Sequence, residues 1–83
     1  FAPTVEDVQR AFAEVLVQTV AAMPQSKERD QWYQKEAEKL QSLQIQQCVP
    51  APVGTPSQCQ VQIAGQKIGI KLLLTQSGWF VVK

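Results

Sequence analysis

The chain has 83 residues, 45% of them hydrophobic, and a formal net charge of +1. That is room for one small core, too apolar for a disordered segment, and too nearly neutral to imply a nucleic-acid partner. There is no histidine, and the last carboxylate side chain is Glu38, so 39–83 lacks the groups that usually move protons near neutral pH.

The chain opens Phe1-Ala2-Pro3. The reading is a processed chain or an excised domain, with any signal or anchor segment out of view. Thr4 then stands three residues before Asp7, a capping-box start with negative charge in the first turn, and Pro3 keeps the helix from beginning earlier. Val5, Val8, Phe12, Val15, Leu16, Thr19, Val20 and Met23 recur at three- and four-residue spacings, opposite Glu6, Arg10, Glu14 and Gln18. The pattern predicts an amphipathic helix of about five turns, ended by Pro24. Ser26 caps a second helix with Glu28 and Asp30 in its first turn. Its apolar stripe is narrower: Trp32, Tyr33, Ala37 and Leu40, with Leu43 at its end.

After Gln41 the period changes to two. Leu43 and Ile45 alternate with Gln44 and Gln46, and Val61 and Ile63 with Gln60 and Gln62. Ile68, Ile70, Leu72 and Leu74 alternate with Lys67, Gly69, Lys71 and Leu73, and a last strand runs Trp79 to Val82. Ala64-Gly65-Gln66 and Thr75-Gln76-Ser77-Gly78 suit hairpin connections. Gly69, inside a strand pattern, marks a bulge or bend. Gln alternating with apolar residues describes the wet face of a sheet. The predicted fold is α+β: one domain over 1–83, helical over 4–41 and a β meander over 42–83. Two N-terminal helices lie on one face of a four-stranded antiparallel sheet.

Cys48 and Cys59 are the only cysteines, and they enclose Val49–Gln58 with its three prolines. With no histidine to complete a metal site, they predict a disulfide and an oxidising compartment. Closing such a loop is worth about 3 kcal/mol in a chain-entropy estimate, useful where a small core supplies only about 3–5 kcal/mol. The bond conflicts with the strand pattern. With the cysteines opposite each other in an unbroken ladder, Val61 would share a face with Gln46, and Ile45 with Gln62. The apolar alternation wants Ile45, Val61 and Ile63 on one side. A bulge near Gln46-Gln47, or a bond between non-paired positions, resolves this.

Little here equips a reaction. All seven acids fall on the predicted helices and nothing in their spacing makes two converge. There is no Cys-x-x-Cys pair and no Gly-rich phosphate loop, so no cofactor, metal or catalytic residue is expected. Two or three lysines and one aromatic are too few for a single-strand nucleic-acid face. No apolar run approaches the ~20 residues of a membrane span. Charge is uneven: −3 over 1–38 and +4 over 39–83. Trp79 and Phe80 point to opposite faces of their strand. Placing Phe80 and Val82 with the core puts Trp79 on the outer face near Lys67 and Lys71, as a recognition residue. The alternatives are that Trp79 packs inside with Val81 while Phe80 sits outside, or that other polypeptide covers Trp79.

The hairpin Val61-Gln62-Ile63-Ala64-Gly65 and the later Gly78-Trp79 turn resemble the two hairpin wedges of cystatin-type protease inhibitors. The resemblance departs where that family has Gln (Val61 here), where it has Pro-Trp (Gly78-Trp79), and in two helices replacing one. The sheet ending Gly78-Trp79-Phe80-Val81-Val82 is also similar to nuclear-transport-factor-2-like domains, which form a pocket between curved sheet and helices but run longer. Both cover only the C-terminal half, and neither family is assigned.

The function expected from sequence is non-catalytic protein binding or scaffolding in a periplasmic or extracellular setting, in a bacterial envelope or secreted protein. Recognition is placed on the outer sheet face (Gln60, Gln62, Lys67, Lys71, Trp79), on an open strand edge, or on the Val49–Ser57 loop. The partner is another protein, and oligomers by edge pairing are open. The alternatives are a small-ligand module with a pocket between helices and sheet, and a cystatin-like inhibitor.

Overall fold

The computed structural model describes residues 2–82. Helix α1 spans Val5–Ala21, and Thr4 caps it as the sequence requires: its hydroxyl accepts from the Asp7 N–H at 3.2 Å, and the Asp7 carboxylate accepts from the Thr4 N–H at 2.9 Å. Val8, Ala11 and Leu16 form its buried face. Helix α2 spans Lys27–Lys39, with the Ser26 hydroxyl accepting from the Arg29 N–H at 3.1 Å. It buries no residue fully. Tyr33, Ala37 and Leu40 are half-buried, and Trp32 lies off that stripe and stays exposed. A short 3-10 turn, Leu40–Ser42, then turns the chain inward, and Leu43 enters the core.

The strands are β1 (Gln44–Cys48), β2 (Ser57–Ile63), β3 (Gln66–Thr75) and β4 (Gly78–Val82). They form one antiparallel sheet in chain order. Its inner face carries Cys59, Val61, Ile63, Leu72 and Trp79, which meet Val8, Ala11 and Leu43 in a single core cluster. Leu72, Val8 and Val61 are completely shielded from solvent. Helix α1 lies chiefly over β4. Two hydrogen bonds tie the helical layer to turns of the sheet, Arg10 to the Ser77 carbonyl at 2.5 Å and the Ala64 N–H to Ser42 Oγ at 3.0 Å. Gln9 Nε2 donates to the Leu40 carbonyl at 2.8 Å within the helical layer.

The cysteine conflict is resolved by a bulge. Ile45 pairs with Val61 and Gln47 with Gln60, so Gln46 is the extra residue, and Cys48 comes directly opposite Cys59, to which it is bonded. Ile45, Val61 and Ile63 thereby share the inner side with Cys59.

Two expectations are corrected. Trp79 belongs to the core and is only 9% exposed, while Phe80 turns to the outer face. The turn dictates this: Thr75 pairs with Gly78, so Trp79 lies opposite Leu74 and Phe80 opposite Leu73. Cross-strand partners share a face, and Leu74 packs against the core. Gly69 is not at a bulge. It pairs in register with Gln60.

Burial sets the mutational contrast on β3. Leu72→Ala should cost about 3 kcal/mol and lower Tm by roughly 15 °C, whereas Leu73→Ala, on the outer face, should cost less than about 1 kcal/mol. Thermal unfolding followed by circular dichroism reads both. Deleting Gln46 removes the extra residue and leaves a regular ladder in which Ile45 still meets Val61 and Cys48 still meets Cys59. That variant should keep the disulfide, read as the absence of free thiols on titration of the unfolded, unreduced protein. Deleting Gln47 and Gln46 together should instead expose two thiols or lower Tm sharply, because Ile45 and Cys48 then fall on opposite faces.

Candidate binding face

The outer side of the sheet is covered by no helix. Its residues are the other half of each alternation: Gln44 and Gln47 on β1, Gln58, Gln60 and Gln62 on β2, Lys67, Gly69, Lys71 and Leu73 on β3, Phe80 and Val82 on β4. Of the residues expected there, Gln60, Gln62, Lys67 and Lys71 are brought together: Gln62 pairs with Lys67, and Gln60 with Gly69, two positions from Lys71. Trp79 is not among them.

An open depression of about 710 Å³ crosses this face. Gln47, Gln58, Gln60 and Lys71 border it, Gly69 lies among them, and Val82 closes it on the β4 side. Gln62 and Lys67 lie outside it, nearer the Ala64-Gly65 turn, where Gln62 Oε1 accepts from Gln46 Nε2 at 2.8 Å. A Cβ placed on Gly69 would meet nothing within 4 Å, so the missing side chain leaves open space at this position. Composition marks this glycine only as unusual in a strand. Its role follows from its neighbours in register, which periodicity alone does not supply.

The proline loop reaches the same depression, because Val49 and Pro56 both line it. The disulfide and the bond from the Val49 N–H to the Gln58 carbonyl at 2.8 Å hold the loop base against the sheet. A turn at the tip is closed by the Thr55 N–H on the Pro52 carbonyl at 3.0 Å, with Gly54 at φ +88°, a conformation that favours glycine. Val53 at that tip is 76% exposed. The two surfaces singled out in the sequence are therefore one.

The face is electrostatically one-sided. Both salt bridges among the described residues, Arg29–Asp30 and Glu36–Lys39, lie on α2. Neither Lys67 nor Lys71 has a carboxylate partner among those residues. No cluster of three or more His, Cys, Asp or Glu is present among them either.

A second cleft, of about 480 Å³, lies on the other side of the sheet between the helices and the β2–β3 hairpin. Phe12, Leu40, Ile63 and Ile68 line it, with Glu36 and Lys39 beside them. Its exposed lining residues, Lys39, Gln66 and Ile68, open it to solvent, so it is not an enclosed pocket. The two hairpin turns do not project together: they sit at opposite ends of β3, which spans ten residues, about 30 Å. The inhibitor-like wedge is absent.

Searches against protein-family models, curated proteins and solved structures return no match to this chain.

Because Gly69 has an ordinary strand conformation and free space around it, Gly69→Val should leave the fold intact. It should raise stability by about 0.5–1 kcal/mol, read as a higher urea midpoint with an unchanged m-value. A fall in that midpoint would show that the space is already required by the fold.

Proposed function

We propose that this domain is a non-catalytic protein-binding module of an oxidising, extracytoplasmic setting, and that it recognises its partner through the depression on the outer sheet face. The partner presents a protruding apolar side chain flanked by carboxylates. The observation that carries the reading is the composition of the depression: aliphatic edges at Val49, Pro56 and Val82, amides at Gln47, Gln58 and Gln60, and one cation at Lys71.

Each part has a physical counterpart in the partner. Aliphatic edges favour burial of apolar surface at about 25 cal/mol per Å². Glutamine amides both donate and accept, so they satisfy a partner's backbone without selecting a sequence. Lysine selects for negative charge, and the acid-free sheet offers no competing carboxylate. The stapled loop supports the binding role because its ordering cost is met during folding rather than at association. The disulfide supports the compartment. No described helix is long and apolar enough to cross a membrane.

Affinity capture with immobilised domain tests this directly. Proteins retained from the native source by the wild type should be lost with Gly69→Val, which fills the depression, and with Lys71→Glu, which reverses its charge. Purified, such a partner should bind Lys71→Glu more weakly by about tenfold or more, with an affinity that falls as salt rises. Retention unaffected by both variants, or no retained protein, would overturn the reading.

A further inference from the structure

Val53 is the most exposed of the large hydrophobic residues that stand out in solvent. The others of that group are protected from backbone attack by where they sit. Val5, Val17 and Trp32 belong to helices and Ile68 to β3, while Met23 and Val49 are each followed by proline. Val53 alone lies outside helix and strand with an ordinary peptide bond after it, to Gly54.

The residues before that bond are preset in an extended form. Pro50 and Pro52 hold φ at about −65°. Val49 and Ala51 each precede a proline and are driven to the β or polyproline region. A peptide bound as an added strand must be extended, so this stretch loses little freedom on entering such a groove. The bond itself lies in the turn closed by the Thr55 N–H on the Pro52 carbonyl. Opening that turn gives up one hydrogen bond, and Gly54 leaves its positive φ without a steric penalty. Side-chain chemistry then selects the enzyme. Between Lys39 and Lys67 the chain carries no charged and no aromatic side chain. Val53 offers nothing to a pocket built for lysine, arginine or an aromatic ring, and suits a small aliphatic one.

We propose that the loop between Cys48 and Cys59 is a cleavage site for an endopeptidase of the elastase class, one whose specificity pocket takes a small aliphatic side chain. Water is consumed: the Val53–Gly54 amide bond breaks, Val53 ends as a carboxylate and Gly54 as a free amine. Every strand pair lies outside 49–56, and the disulfide with the Val49-to-Gln58 hydrogen bond holds both stubs at the base. The cut domain therefore keeps its sheet and remains one molecule. Its outer depression keeps Val49 and Pro56, which lie on opposite sides of the cut, but the tip between them loses its turn.

Two other bonds after small residues set the comparison. Ala22–Met23 ends α1, with both amides bonded back to the Thr19 and Val20 carbonyls. Ala64–Gly65 is a two-residue hairpin turn clamped by the Ile63–Gln66 pair, with both residues at positive φ. Neither becomes extended without breaking a helix end or a ladder.

The test is brief digestion of the native, disulfide-bonded domain with pancreatic elastase, read by mass spectrometry before and after reduction. Unreduced, the product should weigh one water more than the intact chain. Reduced, it should separate into residues 1–53 and 54–83. Val53→Arg should slow this cut by about a hundredfold or more and open the same bond to trypsin. Its Tm should not change, because the side chain is in solvent. Resistance of Val53–Gly54, earlier cutting at Ala22–Met23 or Ala64–Gly65, or equal elastase cutting of Val53→Arg would overturn the proposal. Failure of trypsin to cut Val53→Arg at that bond would do so too, by showing that the loop does not present an extended chain. The inference stands apart from the binding reading: resistance to elastase leaves capture through the depression untouched, and retention unaffected by Gly69→Val and Lys71→Glu leaves this cut untouched.

Discussion

Cys59 points into the core between Ser57 and Val61 on β2, and bonding it to Cys48 fixes how β1 must lie. With Val61 and Ile63 inward, β1 reaches Cys48 in phase only by carrying one residue too many, and Gln46 is that residue. The bulge is therefore the consequence of satisfying one covalent bond and one apolar alternation in the same five-residue strand. It also interrupts the ladder between Ile45 and Gln47, after which pairing resumes, and such a break twists the β1 edge. From the same bond follows the placement of the proline loop, since Val49 and Pro56 leave the sheet beside the two cysteines and border the outer depression.

The helical layer covers the inner face unevenly, with α1 over β4 and the 3-10 turn at β2, while α2 packs on α1 and buries nothing completely. Beneath α2 and beside the β2–β3 turn the sheet is thinly covered, and there the inner cleft opens. Ile68 borders that cleft and is 36% exposed although it pairs with fully buried Val61.

Much of this was legible before any coordinates. Thr4 with Asp7 and Ser26 with its acidic first turn gave the helix starts, since caps act over four residues and need no tertiary information. The conflict between Cys48–Cys59 and the alternation of Ile45 with Val61 left a bulge near Gln46-Gln47 or a bond between non-paired positions, because each constraint is local and the two disagree by one residue. The register shows the bulge. Trp79 was placed on the wrong face although the signal was present. A turn over Thr75–Gly78 makes Leu74 and Trp79 partners, and Leu74 shares the phase of Leu72. Treating the last strand on its own pattern, with Phe80 and Val82 inward, discarded that parity. Gly69 as part of a concavity and the merging of loop and face were not legible. They depend on which strands are neighbours and where each stops, which are properties of the assembled sheet.

Charge makes the outer face of the sheet more than a solvated surface. An exposed lysine with a carboxylate neighbour contributes little to recognition, because the pair is locally neutral and screened. Glu36 and Lys39, 3.0 Å apart at the inner cleft, illustrate this. Lys67 and Lys71 differ. They stand two positions from Gly69 on either side, on a sheet that carries no acid at all. Their charges bracket Gly69, and every acidic side chain belongs to the helical half of the chain. A carboxylate brought to this face therefore meets uncompensated positive charge beside the aliphatic edges of the depression. An uncharged or basic group forfeits one of these two contributions, although the glutamine amides accept either.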